Sequence, residues 1–331
     1  MIEAVRDLTA LPKAHLHVHL ESTIRPGTRR ELAEANGVPL PATQPEFDGF
    51  RSFADHNSRT RACLRRPEDF TRIAREFCAD EAAQGTRYAE VTFTAASHGE
   101  RLGEPDMPLA AVCKGLAEGG AEHGLVWRLL LDHSRRRPVA RARRTLELAA
   151  AHPEVAGIGL AGEERHPLSP FAEVLAHARE LGLHLVHHAG EEAGPDSIRE
   201  ALGIGHAERL GHGIRILDDP ELTAEVAERG VALEVCPSSN VTLGLVPTLP
   251  EHPLPRLVEA GLTVTLNTDV PDVTGSTLTG EFRRAREVFG FDDTALARMA
   301  ADAVTASFAP EAVKTALHGE IREWLRPEAG G

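Results

Sequence analysis

The sequence predicts an α/β fold, a (β/α)8 TIM barrel with a helical cap segment after the first strand. Three observations predict it. Eight short, β-rich apolar runs recur along the chain, and helical spacing of apolar residues fills most of the gaps between them. No GxGxxG or GxxxxGKS/T turn follows the first run, as a doubly wound nucleotide-binding sheet would often have.

The eight expected strands are Ala14–Leu20, Tyr88–Thr94, Val126–Leu131, Val155–Leu160, His184–His188, Arg209–Gly211, Val231–Val235 and Leu262–Asn267. Stretches such as Pro170–Leu181 and Pro220–Arg229 place apolar residues three and four apart, the pattern of amphipathic helices, and such alternation implies parallel strands. The segment from about Arg25 to Ile73 has no clear strand and carries Phe47, Phe50 and Phe53 among polar residues, so it is read as a helical cap over the barrel mouth. With no internal repeat, low-complexity tract or Pro/Gly/Ser-rich linker, residues 1–331 are read as a single domain with the cap as an insertion at approximately 25–73.

Composition narrows the function classes. The 331 residues are 42% apolar and 26% charged, and 36 Lys+Arg against 50 Asp+Glu leave a formal net charge of −14. That acid excess argues against a phosphate backbone as partner, so no nucleic acid is expected. Arg135, Arg136, Arg137, Arg141, Arg143 and Arg144 crowd together after the third strand, and against this net charge they read as a solvated helix start. Cys63, Cys78, Cys113 and Cys236 form no CxxC pair, and no run approaches the ~20 apolar residues of a membrane helix. With no signal peptide at the amino terminus, the expectation is a cytoplasmic protein without a membrane partner. No heptad or exposed-edge pattern stands out to set an oligomeric state.

The chemistry gathers at the strand ends. Alternation along His15-Leu16-His17-Val18-His19-Leu20-Glu21 puts the imidazoles and the glutamate on one face. The fifth strand ends in His187-His188-Ala189-Gly190-Glu191, the sixth in Leu210-Gly211-His212-Gly213 and the eighth in Asn267-Thr268-Asp269. In a barrel all emerge at the carboxyl face, where active sites of this fold are built. Neutral imidazoles with a carboxylate suit one divalent metal ion: zinc first, with iron(II) or manganese as alternatives. An open coordination position would lower the pKa of a bound water towards neutrality, ready to attack a carbon.

The ordered set HxHxE, HAGE, LGHG, CPxSN and NTD, running from Leu11-Pro12-Lys13 to Leu278-Thr279-Gly280-Glu281-Phe282, resembles the adenosine/adenine deaminase family of the metal-dependent amidohydrolase superfamily. The resemblance implies a metal-dependent hydrolytic deaminase acting on an amino-substituted N-heterocycle, an aminopurine-like base or nucleoside, and releasing ammonia. It makes His17, His19, His188 and Asp269 the metal ligands. Glu191 becomes the acid that protonates the ring nitrogen beside the reacting carbon, and His212 orients the attacking hydroxide. Asp269 also takes the water's proton, and Gly162 offers its backbone amide to a ring nitrogen. His187 is expected to face the helices, His184 to pack in the core, and His15 to lie too deep to be a ligand.

Three departures bear on the substrate. Val270 follows Asp269 where family members usually carry a second aspartate that bonds the imidazole-side nitrogen of a purine. Losing that partner should cost a polar ring nitrogen ~1 to 3 kcal/mol, tenfold or more in preference. Glu21 stands where adenosine-type members have an aspartate that reaches the ribose, and resembles the free-base branch. Ser22 replaces the usual glycine. Glu21, Gly162 and Val270 are therefore the expected substrate contacts. The alternatives are hydrolysis of an N6-substituted or deazapurine-type compound, or a catalytically silent homologue that binds its small molecule without turnover.

Overall fold

A computed structural model describes residues 6–40, 47 and 50–326. Its eight strands are β1 (Lys13–His19), β2 (Thr86–Phe93), β3 (Val126–Ser134), β4 (Val155–Ala161), β5 (His184–Ala189), β6 (Arg209–His212), β7 (Ala232–Val235) and β8 (Val264–Leu266). They pair in sequence order, each parallel to the next. The seam between β8 and β1 closes on a bridge between Val18 and Asp269, with His19 N–H donating to Asp269 O at 2.9 Å and Asp269 N–H to His17 O at 3.0 Å. Two residues earlier a side chain stands in for the ladder: Asn267 Oδ1 accepts from the Leu16 and His17 amides at 2.9 and 3.0 Å. The eight parallel strands and their flanking helices make a (β/α)8 TIM barrel.

Strand boundaries differ from expectation where polar function interrupts apolar pattern. β3 runs three residues past Leu131 because Asp132, His133 and Ser134 keep pairing with β4 while carrying side chains for the mouth. β8 stops at Leu266, because Asn267 bonds β1 through its side chain. Between β1 and β2 lie α1 (Pro26–Ala35), α2 (Phe50–Ala62) and α3 (Pro67–Ala83). α2 reaches over the mouth with Phe53, Asn57 and Arg61, whereas α3 is an outer helix of the barrel that continues through residue 73. Residues 41–46, 48 and 49 of the expected cap, and the chain ends 1–5 and 327–331, lie outside the described residues, as does the Phe50 side chain.

Leu16 and Val18 of β1 are buried towards the helices, leaving His15, His17 and His19 to the interior. That interior is unusually polar. Arg209 at the start of β6 donates to Glu234 of β7 at 2.7 Å and reaches across the barrel to Glu90 of β2, and all three are buried. The Arg209 guanidinium also donates to Ala306 O at 2.9 Å and stacks 3.9 Å from the Phe308 ring, which closes the amino-terminal end. Nearby, the buried Lys13 ammonium donates to Leu8 O and Leu11 O, both at 2.6 Å, and burial pulls its pKa down to about 7. Among the described residues, no helix is long and apolar enough to cross a membrane.

Candidate active site

The strand ends converge as the alternation requires. Single donor atoms of His17, His188, His212 and Asp269 lie within 4.8 Å of one another. His19 joins them from β1, with Nε2 3.4 Å from both Asp269 Oδ1 and His188 Nε2. His17 and His188 are packed edge to face at 4.6 Å between ring centroids. Gly211 makes this possible, because a Cβ there would come within 2.9 Å of His17 Cε1. His212 and Asp269 both adopt positive φ, 67° and 59°, a conformation costly for residues with a Cβ and one that clusters at functional sites.

Hydrogen bonds assign the imidazole protons. Glu234 Oε2 lies 2.8 Å from His17 Nδ1, and a carboxylate only accepts, so Nδ1 carries a hydrogen and Nε2 is the nitrogen left to take a proton or a cation. That Nε2 is buried with no hydrogen-bond partner and lies 3.5 Å from Asp269 Oδ1. His212 is wired the opposite way. Leu254 N–H donates to His252 Nδ1 at 3.1 Å, leaving His252 Nε2–H to donate to Asn240 Oδ1 at 3.0 Å. The Asn240 amide therefore turns its NH2 to His212 Nδ1 at 3.2 Å, and the neutral His212 carries its hydrogen on Nε2. His17 is built to give a lone pair and His212 to give a proton.

The electrostatics fit a cation. Burial would lower the His17 pKa, but Asp269 and Glu234 outweigh it and lift it to about 10, so the space beside Asp269 favours positive charge. Burial and the neighbouring imidazoles push His188 well below the usual histidine range and His212 to about 3, which keeps both neutral. Burial would raise Asp269, yet its His17 bond and the surrounding histidines hold it far below the usual carboxylate range. Ser239 Oγ–H donates to Asp269 Oδ2 at 2.6 Å, fixing which oxygen faces the histidines. Buried lone pairs without donors, beside an ionised carboxylate, are a donor set for a divalent ion.

Glu191 lies on the other side of His212, its Oε1 3.5 Å from His212 Nε2. Burial first, then the charges of Asp269 and Glu164, push its pKa well above the usual carboxylate range, which favours the protonated form. Its loop is pinned by Glu164, whose carboxylate accepts from the amides of Gly190, Glu191 and Glu192 at 2.7, 2.8 and 2.7 Å. Arg215 adds a bond from Nε to Glu191 O at 3.1 Å.

The cavity over this cluster is lined at its deep end by His19, His188, Glu191, His212 and Asp269. Gly162 lines it too, with a φ of 90° that suits glycine. Val270 is buried just behind, in an apolar cluster with Phe53, Leu243 and Val273, and Phe53 and Leu243 form the exposed face of that cluster in the cavity. The Glu21 carboxylate turns away onto Thr94 N–H at 3.2 Å and His98 Nε2 at 3.1 Å; burial would raise its pKa, but His98 and the nearby Arg61 outweigh it and hold it at about 2. Ser22 is buried beside it.

His15 binds Glu81 at 3.0 Å and Thr268 Oγ1 at 3.0 Å, below the cluster. His187 spans Leu160 N and Gly205 O at 3.0 and 2.9 Å, facing the helices. His184 departs from the expected core packing: it sits at the rim where β5 begins, half-exposed, paired with Glu208 at 2.9 Å and stacked on Phe308 at 3.7 Å. The arginine run departs more. Arg135 is buried and Arg136, Arg137 and Arg141 line the cavity, while Arg143 and Arg144 stay on the solvated helix face as expected.

The sequence profile of the family described as adenosine deaminase matches residues 12–324. An adenine deaminase of Cupriavidus necator is 35% identical over 96% of this chain and 93% of its own length. The crystal structure of adenine deaminase from Arthrobacter aurescens superposes with a TM-score of 0.91 at 35% identity, covering 95% of this chain and 99% of that one. A zinc-bound amidohydrolase structure from Burkholderia ambifaria gives a TM-score of 0.86 at 27% identity, over 96% of this chain and 92% of the other. This chain therefore belongs to the adenosine deaminase family.

Proposed function

We propose that the protein is a metal-dependent hydrolytic deaminase that replaces the amino group of an aminopurine-type ring with oxygen and releases ammonia. The observation that carries this is one cavity end bringing together a cation-ready donor set, the buried Glu191 carboxyl 3.5 Å from His212, and a proton donor at His212 Nε2. Family membership and the adenine deaminase relatives support the reaction class.

His17, His19, His188 and Asp269 would hold the ion, and the zinc-bound relative supports zinc as its identity. A divalent ion there supplies a Lewis acid and makes water nucleophilic near neutral pH. Glu191 gives its proton to the ring nitrogen next to the amino-bearing carbon, which draws electron density from that carbon and opens it to water. Asp269 takes the proton released as the carbon–oxygen bond forms. His212 Nε2–H donates to the incoming oxygen and holds its charge. Asp269 then passes its proton to the amino group, the new hydroxyl gives up its own proton to restore Glu191 as the carbonyl forms, and the carbon–nitrogen bond breaks with ammonia leaving. Gly162 lets the flat ring approach the β4 end, and its amide faces a ring nitrogen. Val270, with Phe53 and Leu243 in front of it, makes the wall beside the ring apolar, which favours a ring presenting carbon there over one presenting an unpaired nitrogen. Glu21 acts through Thr94 and Arg61, both on the cavity wall.

The test is ammonia release by the zinc-loaded protein from adenine, adenosine, N6-substituted, nucleotide and 7-deaza compounds. Release from at least one member, with oxygen-18 from water entering the product, is the expected result. No release from any member at full zinc occupancy would sink the reading.

A further inference from the structure

The cavity is electrically divided. Its carboxylates and imidazoles crowd the deep end, while Arg61 from α2 and Arg136, Arg137 and Arg141 after β3 line its outer wall. A neutral heterocycle gives no reason for four guanidinium groups on one cavity wall. Resting on the deaminase reading above, we propose that the substrate is an aminopurine carrying an anionic group, a phosphate or a carboxylate, on the part of the molecule outside the ring, and that these arginines bind that group.

The wall holds more positive charge than its own carboxylates neutralise. Arg136 donates to Glu163 Oε1 at 2.9 Å, and the same Glu163 also pairs with Arg165. Arg141 meets Glu100 at 2.5 Å, and Arg61 Nε stands 3.7 Å from Glu21 Oε1. Four guanidinium groups thus share three carboxylates, and one of the three, Glu21, already accepts from His98. Among the described residues the Arg137 guanidinium has no hydrogen-bond or ion-pair partner, and the Nε atoms of Arg61 and Arg141 are buried without a hydrogen-bond acceptor. Unused guanidinium donors in a partly desolvated wall are costly alone, and they match the oxygens of a phosphate or carboxylate in geometry and charge.

The placement sets where the anion lies. Glu163, which anchors Arg136, directly follows Gly162, the residue that admits the ring. The arginine wall therefore begins one residue from the ring position, on the side away from His188 and Asp269. A ring with its amino carbon at the deep end would point a substituent on its opposite edge at Arg136 and Arg137. Charge-assisted bonds to two guanidiniums are expected to favour an anionic substrate at least about tenfold over its neutral counterpart.

The experiment compares kcat/KM of the zinc-loaded enzyme for adenosine 5′-monophosphate, the 5′-carboxylate of adenosine, adenosine and adenine, at low and high salt. The same series is run for Arg136→Gln and for Arg137→Gln, both exposed positions. Binding of inosine 5′-monophosphate against inosine, by calorimetry, gives a readout independent of turnover. The expected result is a preference of about tenfold or more for one anionic compound, weakened by salt and collapsing to within about threefold in the variants. The phosphate and carboxylate arms show which anion is read. Equal turnover of neutral and anionic compounds, or a preference untouched by both substitutions, overturns the inference while leaving the deaminase reading intact. Silence towards every compound at full zinc occupancy overturns that reading and the inference with it.

Discussion

Replacing Glu234 by glutamine tests how the metal site is held. The carboxylate sits between two donors, His17 Nδ1–H at 2.8 Å and Arg209 Nε–H at 2.7 Å, and accepts from both. A glutamine has one accepting end. If its oxygen stays with Arg209, its NH2 faces His17 and draws the hydrogen to Nε2, where a ligand needs a lone pair. If the amide turns over, two donors oppose each other at Arg209. Either arrangement also removes a negative charge from behind the ligand. Losing such a carboxylate partner typically costs 10–100-fold in metal affinity, or ~1.4–2.7 kcal/mol. The assay is competition for zinc against a chromogenic chelator. Glu90→Gln is the control, because Glu90 binds Arg209, Tyr88 Oη at 2.8 Å and Phe308 N at 2.6 Å without touching His17. Both variants should lose stability, ~1–3 kcal/mol each, and only Glu234→Gln should lose zinc affinity. Unchanged zinc affinity in a folded Glu234→Gln protein, or equal losses in both variants, would refute the assignment of His17 Nδ1.

Asn240→Leu frees the His212 tautomer, so kcat should fall roughly 10- to 100-fold with zinc retained, measured by steady-state kinetics beside metal analysis. The pH profile of kcat/KM should keep full activity where Glu191 is protonated and lose it as pH rises through that raised pKa, giving an alkaline limb. Lys13 contributes to stability in the opposite sense to a salt-bridged lysine. Its folded pKa of about 7 lies below the ordinary lysine value of 10.5, so the unfolded chain binds more protons between those values. Stability should therefore rise with pH across that window, by up to ~5 kcal/mol, and denaturant titrations of Lys13→Met should show that rise flattened. Val270→Asp should raise activity on rings with a polar imidazole-side nitrogen by about tenfold, and flat activity in a folded, metal-bearing variant would remove Val270 from the specificity account.

The barrel was legible because its strands are short apolar runs at helical intervals, and the site because alternation along β1 can only place His17 and His19 on one face. What supports the site was harder to read. Glu90, Arg209 and Glu234 are charges inside apolar strands, a pattern that signals a paired interior group, but sequence spacing does not say that β2 and β6 meet across a barrel axis. Within the CPxSN signature, Ser239 and Asn240 hold Asp269 and His212, roles that spacing along the chain does not reveal. Net charge fits Arg143 and Arg144, which stand in solvent, but it is a property of the whole chain and does not show that Arg136, Arg137 and Arg141 line one wall of one cavity. His184 shared the parity of His188 but starts its strand, where the barrel opens to solvent.

Ammonia release from the best substrate by the wild-type protein and by Glu191→Gln, matched in zinc content, tests the central claim most directly. Glutamine keeps the size of the side chain and removes the transferable proton, so the account predicts a loss of turnover of about 10²–10⁴-fold with zinc retained. Comparable turnover in the variant would contradict the role of Glu191 as the acid on which the mechanism depends.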